Sequence, residues 1–525
     1  MYQEDSIVRN LVDSAKHLEG VSRHASTHAA GIVISKDPLV EHVPLQQVSK
    51  GDAKGMAMTQ FVMQDIARVG LLKMDLLGLI NLTTLSRARE IIARHRGVDL
   101  DLQRLPLDDA KTFELLSAGE TGGVFQLEGS GMRRYLKELK PAKFSDVAAM
   151  VALYRPGPMD HIPTFIKAKH GLEPITYPHP SLERILEETY GVIVYQDQVL
   201  FVVREFAGYS LGQADIVRKA MGKKIPEIMQ KERVRFLEGA REKGFSLRVA
   251  EQVFELIEPF AGYAFNKAHS VSYAMIAYQT AYLKANYPVE YMTALLLSHS
   301  GQQDKVATAV ADCQRMDIKV LPPDVNRSEA SFSIEDSEEP AIRFGLSDIK
   351  NVGAGAMAPI VEARKKGGPF KSIEDFCRRA DLRGMNKKVM ESLIKAGALD
   401  CLAGRGALLN QIDRIMSLSQ REQSLRESGQ STMFDLFGVA TQTPLPEMKL
   451  EEVEVSYRDK LAWEKELIGV YLSGHPFYQA ARELKSSTTA FCGEINADMV
   501  GQTVTVAGQV VSVRQGLTKS RQPFV

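Results

Sequence analysis

Apolar residues Ile7, Leu11, Val12, Ala15 and Leu18 recur at intervals of three and four, the period of a helix that buries one side, so the chain is expected to open in a helix. Two short apolar runs bounded by glycine, GIVIS at 31–35 and VGLLKMDLLGL at 69–79, suit buried strands. From about 82 to 297 the helical period dominates. Starts carry acidic or hydroxyl residues and stops carry glycine or proline, as in LDDAKTFELLSAGE and HPSLERILEETYG, which predicts an all-helical domain. The stretch VLPPDVNRSEASFSIEDSEEP at 320–340 mixes prolines, acids and small residues and reads as a linker at a domain seam. Residues 344–400 read as short helices joined by glycine turns. After residue 500 the pattern changes to alternation in VTVAGQVVSV, the period of a strand, and a β domain is expected to begin there. The opening inside a helical pattern and the close inside an alternating run suggest a sequence shorter than its folding unit.

Composition narrows the classes. A chain of 525 residues exceeds one hydrophobic core and implies roughly two to four domains. With 65 basic and 65 acidic residues the net charge is zero, so local clusters must decide whether nucleic acid is a partner. Cys313, Cys377, Cys401 and Cys492 are far apart and none stands in a CxxC pair, which removes the usual zinc and redox motifs and fits a reducing cytoplasm. No apolar run approaches the ~20 residues of a membrane span, and the first residues lack a basic-then-apolar signal pattern. A cytoplasmic protein with no membrane partner is expected.

Several clusters can carry chemistry. Asp75 lies in an apolar run, where a lone buried carboxylate is costly, and strand periodicity sets Lys73 beside it on one face. The pair suits a divalent metal with a phosphate oxygen, or equally a structural ion pair at a strand end. QADIVRKAMGKK gathers Arg218, Lys219, Lys223 and Lys224 within two helical turns, with Arg204, Lys231, Arg233 and Arg235 nearby: a phosphate-binding stripe or a solvated helix face. Asn266, Lys267 and His269 precede a helix bearing Tyr273, Tyr278 and Tyr282. Orphan NH groups and the dipole at such a helix start favour an anion, while the tyrosines either stack a base or fill the core. His24 and His28 have the i, i+4 spacing of two metal ligands but lack the Glu of HExxH. Arg155 stands in a proline-stiffened turn, YRPGPMDHIP, as a phosphate clamp or a turn residue. Lys350, Gly353 and Gly355 outline a helix-hairpin-helix turn whose NH groups can grip DNA phosphates. Gln430, Met433 and Phe434, in QSTMF, put large apolar side chains into a polar stretch, which suits a partner pocket.

Their order resembles one family throughout. KMDLLGL, GVFQLEGSGM, YRPGPMDHIP, VYQDQV, GYSLGQADIVRKAMGKK, FNKAHSVSYAMIAYQTAYLKANYP, LPPDVN, FGLSDIKNVG, GGPFKSIEDF and WEKELIGVYLSGHP are similar to segments of the bacterial polymerase III alpha subunits, the family C replicative DNA polymerases, and cover essentially the whole chain. The resemblance implies an α+β, mainly α, fold. Its parts are a partial β-type nucleotidyltransferase palm at 1–80, large helical fingers at 81–297, and a clamp-binding region at 298–495. That region holds a helix-hairpin-helix at 342–403 and a clamp peptide at 430–437, and the start of an OB-fold follows at 500–525. By the same resemblance Asp75 is a catalytic, magnesium-binding carboxylate and Lys73 its phosphate-contacting neighbour. Arg218, Lys219, Lys223, Asn266, Lys267 and His269 face the incoming nucleotide. Arg155, Lys350, Gly353 and Gly355 contact DNA, and Gln430, Met433 and Phe434 dock on the sliding clamp.

The implied function is template-directed DNA synthesis in chromosome replication. Primer-template DNA, deoxynucleoside triphosphates, the sliding clamp and other replicase subunits would be its partners, with two Mg2+ ions completed by residues outside this chain. Departures accompany the agreement. No Asp-x-Asp pair fits a palm strand here, so the chain alone is expected to be inactive, and position 219 holds Lys where relatives often have Arg. Two readings from other classes stand beside it: a non-catalytic DNA- and sliding-clamp-binding scaffold, and a metal-dependent hydrolase built on His24, His28 and Asp75.

Overall fold

The computed structural model describes residues 2–3, 5–21, 27–28, 30–48, 55–222, 226–261, 264–336, 339–427, 448–474, 501, 503–508, 513, 516–517 and 522–524. The chain divides into two compact units, Met1–Ile80 and Asn81–Val525.

In the first unit, helix α1 (Ser6–Leu18) starts where the Asp5 side chain accepts from the Ile7 NH at 2.9 Å, the usual satisfaction of an orphan donor. Strands β1 (Gly31–Ile34) and β4 (Leu72–Asp75) pair antiparallel, Gly31 opposite Asp75 and Val33 opposite Lys73. β2 (Leu45–Gln47) and β3 (Ala57–Thr59) form a second antiparallel pair, and α2 (Met63–Arg68) buries Ile66. The expectation of buried strands fails. Ile32, Ile34, Leu72 and Met74 are all exposed, because within this unit the two-stranded ribbon has no third strand among the described residues to build a sheet with a covered face. A glycine-bounded apolar run marks a strand; whether it is buried depends on what packs over it.

The second unit is mainly helical. Its first helices are α3 (Ile80–Arg96), α4 (Ala110–Ser117), α5 (Ser130–Leu139), α6 (Phe144–Leu153), α7 (Ile162–Lys169) and α8 (Glu183–Leu186). Then come α9 (Gln196–Ala207), α10 (Leu211–Gly222), α11 (Pro226–Glu242), α12 (Leu247–Ala261), α13 (Lys267–Asn286), α14 (Pro288–Ser298) and α15 (Gln303–Arg315). Local chemistry sets the boundaries. Asp109 caps α4 by accepting from the Thr112 NH at 2.9 Å. Gly208 closes α9 with φ 70°, a left-handed angle that glycine adopts without strain. Pro288 opens α14 at the position where its missing NH costs nothing.

The segment expected to be a linker is instead a small sheet. β5 (Val320–Leu321) runs parallel to β7 (Ala341–Arg343), and β6 (Ser333–Glu335) pairs antiparallel on the other side of β7. Val325, Phe332, Ile342 and Phe344 are buried, and the buried Ser328 hydroxyl donates to the Phe344 carbonyl at 2.7 Å. Four apolar anchors outweigh the turn-forming prolines and acids between them.

Beyond it lie α16 (Ala354–Gly367), α17 (Ile373–Arg379), α18 (Lys387–Lys395), α19 (Arg405–Asn410), α20 (Ile412–Glu427), α21 (Tyr457–Leu467) and a short antiparallel pair, β8 (Gly516–Leu517) and β9 (Pro523–Phe524). Residues 503–508, whose alternation predicts a strand, join no ladder among the described residues, since alternation supplies a face but not a partner.

Among the described residues, two hydrophobic clusters help hold this unit. One joins Leu182, Val202, Phe206, Phe236, Phe254 and Ala264, on and between the helices from α8 to α13. The other runs from Leu85 and Ile92 of α3 through Leu283 of α13 and Leu295 of α14 to Ile342, Met357, Leu393 and Leu467, and so spans the position 297 at which the sequence suggests a boundary. Among the described residues no helix is long and apolar enough to cross a membrane.

Candidate functional site

In the first unit the antiparallel register puts Lys73 and Asp75 on one face, across from Gly31 and Val33. The Lys73 Nζ lies 2.5 Å from Asp75 Oδ1 and His28 Nδ1 lies 3.8 Å from the same oxygen. The hydrogen bond from Lys73 holds the Asp75 carboxyl below its ordinary range, so it stays ionised as a metal ligand must. The carboxylate is not buried as the apolar run suggested: its side chain keeps 42% of its exposure, because the strand edge faces outward. Gly31 makes the arrangement possible. A Cβ there would stand 2.8 Å from Lys73 Cε, 3.0 Å from His28 Nδ1 and 3.1 Å from Asp75 Oδ1. Sequence reading did not single out Gly31; its signal was a glycine opening the strand that pairs with the Lys-x-Asp strand.

Asp75 offers the hard oxygen that magnesium prefers. Among the described residues no three His, Cys, Asp or Glu side chains gather to hold a metal, and His24 lies outside the described residues. The residues present therefore fit one contribution to a metal site.

In the second unit the chain brings Arg155, Asn266, Lys267 and His269 together at the start of α13. The Asn266 side chain caps the helix by accepting from the His269 NH at 2.9 Å. Backbone bonds from Phe265 N to Val194 O (3.0 Å) and from Gln196 N to Phe265 O (2.8 Å) tie this cap to the start of α9. The Arg155 guanidinium lies 4.6 Å from the Phe265 ring centre, and the His269 ring packs 4.3 Å from that of Tyr273. Lys267 Nζ sits 2.5 Å from Glu188 Oε2 and 5.4 Å over the Tyr195 ring.

A cavity of about 530 Å³ opens here, lined by Arg184, Glu188, Asp197, Phe201, Arg204 and Lys267 among others, within the volume range of small-molecule sites. Its charges nearly balance, so an anion entering it competes with Glu188 for Lys267. Sequence pattern does not point to this acid, which lies 79 positions from its lysine. Of the three tyrosines, Tyr278 is core: fully buried, its hydroxyl donates to the Pro106 carbonyl at 2.7 Å. The side chains of Arg218 and Lys219, on α10, and the whole of Lys223 lie outside the described residues.

At the third location Lys350, Gly353 and Gly355 are exposed at the N-terminus of α16. Asn351 takes φ 69°, which turns the chain sharply between Lys350 and the helix. A Cβ at Gly353 or Gly355 would meet nothing within 4 Å, so neither glycine is required by packing inside the protein. The Lys350 and Val352 NH groups donate to the Leu467 and Ile349 carbonyls at 2.9 and 3.0 Å, so an anion here would meet the first NH groups of α16 instead. Gln430, Met433 and Phe434 lie outside the described residues.

Fold and site together define a mainly helical protein built around a helix-hairpin-helix element, with a separate small unit that carries a lysine-aspartate pair on a strand. Three family models match in order along the chain: the bacterial DNA polymerase III alpha NTPase domain over 1–78, the finger domain of the bacterial DNA polymerase III alpha subunit over 81–244, and the helix-hairpin-helix motif over 317–408. The chain is 46% identical to the DNA polymerase III subunit alpha of Thermus aquaticus over 99% of its own length and 42% of that protein's. For the subunit of Borreliella burgdorferi the values are 44%, 90% and 40%, and for that of Escherichia coli K12 they are 40%, 99% and 45%. The chain belongs to the bacterial DNA polymerase III alpha subunit family, and it spans less than half the length of these curated relatives.

Proposed function

We propose that this chain contributes to template-directed DNA synthesis, the transfer of a deoxynucleotide to a primer 3′ end in bacterial chromosome replication, as part of a polymerase III alpha subunit. The observation that carries the reading is the exposed Lys73–Asp75 pair over Gly31, in a chain whose relatives at 40 to 46% identity bear that subunit's name. Residues 1–80 act as the end of a palm, 81–297 as fingers and 298–495 as a clamp-binding region, with an OB-fold beginning at 500.

Asp75 supplies one ligand to magnesium, and the other carboxylates come from outside this chain. When bound, two magnesium ions supply activation of the attacking hydroxyl and neutralisation of developing charge. Lys73 orients Asp75 and meets a phosphate oxygen. Lys267, Asn266 and His269, with Arg218, Lys219 and Lys223, receive the triphosphate of the incoming nucleotide, and release of Lys267 from Glu188 accompanies binding. Arg155 and the Lys350–Gly353–Gly355 turn hold DNA through its phosphates, a contact that reads no sequence. The protein works in the cytoplasm beside other replicase subunits.

Primer extension with magnesium tests the reading. The chain alone extends no primer, and the full subunit that contains it does. In the full subunit Asp75→Asn lowers the rate on the order of 10²-fold or more, the usual cost of removing a well-placed electrostatic contact. Unchanged extension by Asp75→Asn removes Asp75 from the reaction, and failure of the full subunit to extend favours a DNA- and clamp-binding scaffold.

A further inference from the structure

We infer that a cavity of about 200 Å³ between the end of α4, α5, α13 and α15 binds a phosphate-type oxyanion, at a site separate from every residue assigned above. Four cations from three helices line it: Arg133 and Lys137 of α5, Lys284 of α13 and Arg315 of α15, against two acids, Glu120 and Asp312. Lys284 is 2% exposed. Its Nζ donates to the Glu120 and Gly122 carbonyls at 2.9 and 2.8 Å, which uses two of the three NH groups of an ammonium. Arg133 Nε is buried with no hydrogen-bond partner among the described residues. Asp312 is itself buried and pairs with Arg315. A side chain at Gly122 would run into Asp312 and Arg133, so glycine keeps the polar floor open.

Pegging two loop carbonyls accounts for Lys284 alone. It does not account for Arg133, whose buried donor lacks an acceptor, or for the approach of Lys137 and Arg315 from two other helices. Like charges brought together in a partly enclosed space repel, and an anion between them removes that cost. Guanidinium groups present paired NH donors that match tetrahedral oxyanions. The volume lies below the roughly 300 Å³ at which drug-sized sites begin, a size suited to one phosphate or a pyrophosphate. The phosphate is either free in solution or part of a nucleic-acid strand.

The test is calorimetric titration of the full chain with inorganic phosphate and with pyrophosphate at constant ionic strength. The inference expects saturable binding that weakens about tenfold or more, the usual effect of losing charged hydrogen bonds, in Lys137→Ala/Arg315→Ala. Both side chains are exposed, and circular dichroism with a thermal melt checks that the variant keeps its fold once the buried Asp312 loses Arg315. Lys267→Ala, in the charge-balanced cavity at the start of α13, leaves this binding in place. Displacement of pyrophosphate by a short single-stranded deoxyoligonucleotide identifies a strand phosphate as the occupant, and no displacement identifies a free one. Absence of saturable binding, or equal binding by the wild type and the Lys137→Ala/Arg315→Ala variant, overturns the inference.

Discussion

Lys267 and Lys284 lie on one helix and meet opposite fates. Lys267, at the mouth of α13, is held by Glu188 at 2.5 Å, a carboxylate that competes with any phosphate for the same ammonium. Glu188→Gln keeps the side-chain shape and removes that competitor, so the deoxynucleoside triphosphate binding proposed for this end of α13 tightens several-fold, on the order of one charged hydrogen bond; a fluorescence titration reads it, and unchanged affinity separates Lys267 from the nucleotide. Lys284 is buried, and burial first, then Arg133 and Arg315, pulls its ammonium down from 10.5 to about 8, against the opposing pull of Glu120 and Cys313. Between those two values the unfolded chain carries a proton that the native state has released. Stability therefore rises with pH across that window, by roughly 3 kcal/mol if the whole shift is expressed. The buried Cys313 thiol, pushed up to about 12, works in the opposite sense above its ordinary 9, so the comparison that isolates Lys284 is wild type against Lys284→Met: the difference in denaturant midpoint energy grows from pH 8 to pH 10, and a constant difference refutes the assignment. The sequence held a clue to this lysine, since position 284 continues the stripe of 273, 277 and 280 that faces the core.

At the scale of elements, the ends of α3 and α14 are tied by a buried carboxylate. Glu290, 0% exposed, accepts from Arg96 Nε at 2.6 Å and lies 2.5 Å from His95 Nδ1, while His95 Nε2 lies 2.9 Å from Asp336. Burial raises the Glu290 carboxyl, but the hydrogen bonds from Arg96 and His95 outweigh it and leave the group below its ordinary 4.5. Its stabilisation is complete above that value and is lost as pH falls through the lower native one. Glu290→Gln costs about 3 kcal/mol at neutral pH, the cost of breaking a buried pair, and thermal melts of the two proteins converge in acid; parallel melting curves at every pH refute the link. Helices such as α4 and α13 were legible because Asp109 and Asn266 announce their starts in the sequence. The sheet at 320–343 was not, because its strands are two or three residues long and too short to show a period. The Lys73–Asp75 face was legible from alternation alone, whereas its exposure and its closeness to His28 depend on chain folding back across 40 or more positions, which local pattern does not encode.

For the whole molecule, the order of motifs carried the identification, and the roles of single residues follow from that resemblance as proposals. Gln430, Met433 and Phe434, outside the described residues, are proposed to dock on a sliding clamp, which converts a weak DNA contact into a tethered one through effective concentration. Changing Met433 and Phe434 to Ala abolishes retention of the chain on immobilised clamp and leaves its affinity for DNA unaltered; retention by the double variant removes the peptide from that role. The long core from α3 to α21 has a last consequence. Lys267 opens a helix of 20 residues, roughly 30 Å long at 1.5 Å per residue, and that helix seats Leu283 in the same packed interior as Val352 and Met357 beside the glycine turn. Well-packed interiors deform little. The nucleotide proposed at Lys267 and the DNA backbone proposed at the glycine turn would thus be held by one stiff calliper, whose two jaws keep the same gap whatever sequence passes between them.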